Sequence, residues 1–350
     1  MTRERGEVAA AVWTEKRGEV GRGGGGAPAP STRRGKTAVE RMSAATHGIS
    51  SVRVRVPAST ANLGPGFDAL GMALGLHDTV EVTVTGDDVR VEVTGEGAGQ
   101  VPTDEKHLVA RALLTGADAL GLALPGVVLR CHNTIPHARG LGSSAAAIVA
   151  GVAAAYGLAG KEFDEHALQV AAEFEGHADN AAASLYGGLV LAWSEGAHYR
   201  AVRLEPHSGL APVVLVPDAH SATSVTRGLL PGNVPHTDAA FVAGRCALAV
   251  HALTTRPDLL LPATEDRLHQ DYREAAWPDT MRMVRELREN GVAATVSGAG
   301  PTVFALPSSG TLPSGVDTEG FTVRAIPVDR TGTVVGPVVR PAGPNGTNTR

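Results

Sequence analysis

The stretch PHARGLGSSAAA, residues 136–147, decides the reading of this chain. Before it stands VVLRCHN (127–133), an aliphatic run that predicts a strand; after it, residues 144–156 are mostly Ala, Ile, Val and Gly and predict a helix. Gly140 and Gly142 allow positive φ and a close backbone approach to a ligand. Ser143 and Ser144 fall where the helix begins, and a helix N-terminus offers unpaired N–H groups at a positive dipole end. Strand, glycine loop and helix start together describe a phosphate site. No Lys follows Gly142, so the loop is not a Walker A loop. Gly140, Gly142 and Ala145 also spell G-x-G-x-x-A, with Glu162 twenty residues beyond Gly142, so a dinucleotide fingerprint stays open. Against it, His137, Ala138 and Arg139 separate Pro136 from the first glycine, where that fingerprint wants a tight turn. A plain glycine loop with Ser144 as N-cap is the third alternative.

Working outward, VRVRVP (52–57) alternates apolar and basic residues as a half-buried strand does. TVEVTVTG (79–86) and VRVEVTG (89–95) repeat the alternation around Gly86, Asp87 and Asp88, which predicts a hairpin. Helices are expected at 107–121, 238–254 and 279–290, and strands at 187–193, 212–217, 294–298 and 303–307. Strands and helices mix without regular βαβα alternation, so the fold class expected is α+β. Residues 1–50, including GRGGGGAPAPSTRRGK (21–36), and 336–350 have little to bury and are expected to be disordered tails.

The 350-residue chain is 43% hydrophobic and 19% charged, enough for a real core and, by length, for about two domains. Its net charge of −5 is uneven: residues 1–50 hold nine Lys and Arg against five Asp and Glu, the rest 22 against 31. An acidic body argues against tracking a nucleic-acid backbone. Cys131 and Cys246 stand far apart without metal-ligand spacing, which predicts buried free thiols. The most apolar stretch, 145–160, is shorter than the ~18–20 strongly apolar residues of a membrane span. No apolar core with a cleavage site marks a secretory signal. A cytoplasmic protein, with neither nucleic acid nor membrane as partner, is expected.

The full string P-x-x-x-G-L-G-S-S-A-A resembles the phosphate-binding motif of the GHMP kinases. Two further segments match that superfamily in order, VPASTANLGPGFDALGMAL (56–74) and TVSGAGPTVFAL (295–306). Within it, STANLGPGFDALG, EGHADNAAASLYGG (175–188) and LHQDYR (268–273) resemble the homoserine kinase family. Ala178 and Asp271 stand where that family commonly has proline.

The resemblance implies the two-domain GHMP kinase fold: a ribosomal S5-like ATP-binding domain over 51–205 and a ferredoxin-like domain over 206–335. It implies phosphorylation of the side-chain hydroxyl of L-homoserine by ATP with Mg²⁺, a step of threonine biosynthesis, and a homodimer. ATP contacts would come from Pro136, His137, Ala138 and Arg139, through Gly140, Leu141, Gly142, Ser143 and Ser144, to Ala145 and Ala146. Ser144 and Glu175 would hold the metal, with Glu173 as the alternative acid. Asp179 would occupy the catalytic position beside Asn180. Arg227 and Arg273 would take the substrate carboxylate, for which the guanidinium fork is suited. Asp68 would take the ammonium, and Asn62, Thr223 and Gly298 would complete the pocket. His177 beside Asp179 is read first as a structural hydrogen-bonder. Two rival readings stand beside this one: a GHMP kinase with another acceptor such as mevalonate, and a catalytically silent ligand sensor on the same fold.

Overall fold

The computed structural model describes residues 49–86, 88–218 and 227–338. Most of both predicted tails, and Thr223, lie outside the described residues.

β1 (Ser51–Asn62) and β2 (Gly66–Thr85) form a long antiparallel hairpin, followed by β3 (Val89–Gly95), α1 (Leu108–Ala119) and β4 (Gly126–Asn133). Next come α2 (Ser143–Leu158), α3 (Glu165–Glu175), α4 (Asp179–Tyr186), β5 (Leu189–Glu195) and β6 (His198–Leu204). The chain then enters a second sheet through β7 (Val213–Pro217), α5 (His236–Thr254), α6 (Leu260–Ala263) and α7 (Pro278–Glu289). That sheet is completed by β8 (Ala293–Val296), β9 (Val303–Leu306) and β10 (Phe321–Ala325), before a last strand, β11 (Val334–Gly336).

The first sheet runs β11-β1-β2-β4-β3, with β5 on β2 and β6 on β5. The hairpin expected between 79–86 and 89–95 is corrected here. β4 lies between those strands, antiparallel to β2 (Val82 opposite Leu129) and parallel to β3 (Val91 opposite Leu129). A parallel pair needs a crossover, and α1 supplies it. The alternation that buries Val80, Val82 and Val91 is the same in either arrangement, so periodicity does not distinguish them. α2 is buried almost all round, between the sheet and neighbouring helices, which explains its lack of a polar face.

The second sheet runs β10-β7-β9-β8 with antiparallel neighbours, the split β-α-β order of a ferredoxin-like domain. β7 is buried at every residue because both faces are covered. Val213 and Leu215 pack with Met281, Val284 and Leu287 of α7, while Val214 and Val216 join Ala249, Ala252 and Leu253 of α5 in the core shared with the first sheet. The chain does not end in the second sheet. Residues 326–336 return, Asp329 N–H donates to Ala73 O at 3.0 Å, and β11 pairs with β1. Of the two cysteines, Cys131 is buried and Cys246 half-buried, both free.

Candidate active site

Three sequence motifs meet at the junction of the two sheets. The β1–β2 turn passes through Asn62, Leu63 and Gly64, all at positive φ. Asn62 is buried; its Nδ2 donates to Gly298 O at 3.0 Å and its Oδ1 accepts from Asp68 N–H at 3.0 Å. The 295–306 loop closes on the glycine loop: Ser297 Oγ donates to Gly140 O at 2.6 Å, and Gly298 N–H donates to Ala61 O at 3.1 Å. Glycine is required at two places. A Cβ on Gly140 would fall 2.4 Å from Ser297 O, and one on Gly142 would fall 2.1 Å from Ser59 Oγ. Both also have positive φ, 77° and 69°.

α2 begins at Ser143 with Gly142 as a left-handed cap that offers no side-chain hydrogen bond. Ser144 is therefore no N-cap. Its hydroxyl instead reaches Glu175 Oε1 at 2.5 Å, at the end of α3. Glu175 Oε2 is buried without a partner among the described residues, and burial raises the carboxyl pKa although the Ser144 bond opposes it. A half-buried carboxylate with one oxygen to spare beside a hydroxyl is the oxygen set a Mg²⁺ ion takes, so the residues fit the ion. Glu173 is exposed and bonded by Gln169 at 2.7 Å, so Glu175 is the acid that faces the loop.

Asp179 is buried at the start of α4. Its Oδ1 meets His177 Nδ1 at 2.8 Å and accepts from Asn180 N–H at 2.7 Å. His177 is held above its ordinary pKa: burial lowers it, but the Asp179 bond and the charges of Asp179 and Glu175 outweigh burial. Asp68, His177 and Asp179 bring potential ligand atoms within 4.8 Å of one another, an acidic corner suited to a cation.

Opposite stand two arginines. Arg227 grips Asp68 with both prongs, at 2.9 and 2.7 Å, and that hydrogen bonding raises its pKa. Arg273 is 2% exposed and has no carboxylate within ion-pair distance among the described residues. Its Nη1 contacts His269 Nδ1 at 2.7 Å and donates to Gly298 O at 3.1 Å. With that nitrogen accepting, His269 Nε2 carries the proton and donates to Gly64 O at 2.7 Å. Burial, then the neighbouring Arg227, lowers the Arg273 pKa to about 10. Phe67 lies 5.4 Å below Arg227 and 5.9 Å below Arg273.

These groups line one cavity of about 440 Å³, which brings together Asn62, Asp68, Arg227, Arg273 and Gly298 with Glu175, Asp179 and Asn180. From the glycine loop, Ala138, Arg139, Gly140, Gly142, Ser143 and Ser144 also face it. His137 and Ala146 line an adjoining, more apolar cavity of about 310 Å³ with Val56, Val80 and Val109. Leu141 and Ala145 are buried and line neither cavity, and half-buried Pro136 lines neither as well. Sequence reasoning missed Phe67, His269 and Ser59, although each stands inside a quoted motif.

Models of the GHMP kinases N terminal domain and the GHMP kinases C terminal domain match residues 107–188 and 250–314. Homoserine kinase of Streptomyces avermitilis is 51% identical over 295 residues, 83% of this chain and 97% of the relative. That of Rhodococcus erythropolis is 55% identical over 270 residues, 73% and 86% of the two chains. A crystal structure of homoserine kinase from Cytophaga hutchinsonii superposes with TM-score 0.73 at 28% identity, covering 82% of this chain and 98% of that one. A mevalonate kinase structure, 16% identical with TM-score 0.60, shares the fold alone. No helix among the described residues is long and apolar enough to cross a membrane. With two family models matched in order and about half of the aligned residues identical in these relatives, the chain belongs to the homoserine kinase family of the GHMP kinases.

Proposed function

We propose that this protein transfers the γ-phosphoryl group of ATP to the side-chain hydroxyl of L-homoserine, giving ADP and O-phospho-L-homoserine. One observation carries the choice of acceptor: the buried Arg273 guanidinium has no carboxylate partner among the described residues and shares a cavity with the Asp68, His177 and Asp179 corner. A buried unpaired charge is costly, and a ligand carboxylate removes that cost. An α-amino acid presents carboxylate and ammonium together, matching Arg273 and Asp68. Mevalonate has no amine to meet the acidic corner.

The glycine loop and the N–H groups at the start of α2 cradle the phosphates, and the apolar cavity behind Ser143 takes the base. Ser144 and Glu175 would hold Mg²⁺, which when bound supplies positive charge to the β- and γ-phosphates. Asp179, fixed through Oδ1 by His177 and its own helix, keeps Oδ2 for the homoserine hydroxyl. It orients that hydroxyl and accepts its proton as the O–P bond forms. Phosphoryl transfer needs mainly alignment and charge stabilisation, so these positioning contacts account for most of the chemistry.

The test is ADP release with Mg-ATP in the presence of L-homoserine, mevalonate or no acceptor. Turnover with homoserine alone supports the assignment. Turnover with mevalonate reassigns the acceptor, and ATP binding without any turnover favours the sensor reading.

A further inference from the structure

Two buried hydroxyls stand behind Asn180. Ser59 in β1 and Ser184 in α4 are each 0% exposed, and the three residues of α4 between Asn180 and Ser184 are all alanine, also 0% exposed. Alanine would fill nearly the same space without the cost of burying a hydroxyl. The hydroxyls are instead joined in line: Ser184 Oγ donates to Ser59 Oγ at 3.2 Å, and Ser59 Oγ donates to Asn180 Oδ1 at 3.0 Å.

Direction matters here. Ser59 has one hydroxyl proton, and with Ser184 donating to its oxygen that proton goes to the Asn180 carbonyl. Asn180 lines the cavity, and with Oδ1 engaged by Ser59 the group its carboxamide keeps for a ligand there is Nδ2, a donor. Turned over, the same side chain would present its oxygen to the phosphates and repel them. Ser59 also ties Asn180 to the glycine loop, since its own N–H donates to Leu141 O at 3.1 Å and its Oγ fills the space a Cβ on Gly142 would need.

We propose that Ser59, backed by Ser184, is a positioning residue that fixes the Asn180 carboxamide with its N–H donors toward the transferring phosphoryl group. The inference rests on the reading of this cavity as a phosphoryl-transfer site. It adds to that reading a residue that touches neither substrate and acts only through Asn180.

The experiment is a double-mutant cycle on the full chain, with ADP release measured for wild type, Ser59→Ala, Asn180→Ala and the double variant. Ser59→Ala is expected to lower kcat about tenfold with the KM for ATP changed less than about twofold, and to lose its effect on kcat once Asn180 is alanine. Unchanged kcat in Ser59→Ala overturns the proposal. So does a loss that multiplies with Asn180→Ala, or one that appears in the KM for ATP, because either means Ser59 merely packs the loop. If Ser59→Ala does not fold in a thermal melt, Ser184→Ala replaces it. That variant is expected to lower kcat by roughly two- to fivefold and to be silent in the Asn180→Ala background; wild-type kcat in Ser184→Ala then overturns the proposal. Absence of wild-type turnover with homoserine instead removes the phosphoryl-transfer reading, and the proposal falls with it.

Discussion

Arg227 and Asp68 form a two-pronged ion pair inside the cavity, Nη1 to Oδ2 at 2.9 Å and Nη2 to Oδ1 at 2.7 Å. In the proposed reaction these residues recognise opposite ends of one zwitterion, so in the free protein they neutralise each other. A zwitterion can separate them by giving each a new partner. An acceptor such as 4-hydroxybutanoate offers a carboxylate only and would leave Asp68 unpaired. Asp68→Asn is expected to raise the KM for L-homoserine about ten- to a hundredfold, from loss of a contact of about 1.5–3 kcal/mol. It should also narrow the preference for homoserine over 4-hydroxybutanoate. Steady-state kinetics with both acceptors check this; equal losses on the two would count against it.

Arg273→Lys tests the buried cation by its pH dependence. Arg273, lowered to about 10, stays charged at neutral pH. A lysine starts near about 10.4 and would be pulled lower by the same burial. Its charge is present at low pH and is lost as pH rises. The KM for homoserine in Arg273→Lys is therefore expected to climb between about pH 7 and 9, while that of the wild type stays nearly flat.

Glu175→Gln addresses the metal. The carboxylate, whose buried Oε2 has no partner among the described residues, would become an amide, a weaker ligand for a hard cation. The Mg²⁺ concentration for half-maximal velocity is expected to rise about tenfold or more. Glu173→Gln, an exposed change, should leave it alone.

The His177–Asp179 contact should appear in the pH dependence of stability. The folded pKa of His177 is raised above the ordinary histidine value of 6.5. Its stabilisation is fully present below that value and is lost as pH rises through the folded value. Thermal melts of wild type and His177→Gln are expected to differ most under mildly acidic conditions and to converge as pH rises above neutrality. A difference independent of pH would mean that the imidazole contributes only packing.

Gly142→Ala combines a positive φ with a Cβ placed 2.1 Å from Ser59 Oγ. Relieving the clash must move the glycine loop or β1. Stability should fall by about 1–3 kcal/mol, as measured by denaturant unfolding. ATP binding should weaken as the loop shifts.

Much of the candidate site's layout was legible because its motifs are local. PHARGLGSSAAA carries its own turn, glycines and helix start, and STANLGPGFD carries the strained turn that sets Asn62 and Asp68. Glu175 and Glu173 could not be separated by spacing, since two residues on one helix differ only in which neighbour they meet. Ser59 and His269 were hidden for a related reason: a Ser in a strand and a His in a loop look ordinary until their partners are known.

Sequence alone determined the local chemistry: where glycine permits positive φ, where a helix N-terminus meets a loop, which strands alternate, and which families these motifs resemble. Tertiary structure decided everything that depends on distance between remote residues. It put β4 between β2 and β3, because apolar alternation names a buried face but not the strand beside it. It brought Asn62 to Gly298, and Arg227 to Asp68, across long stretches of chain. It also buried Arg273 without a carboxylate partner among the described residues, a property of the assembled cavity and not of the residue, because burial and pairing exist only once the chain has closed around the side chain.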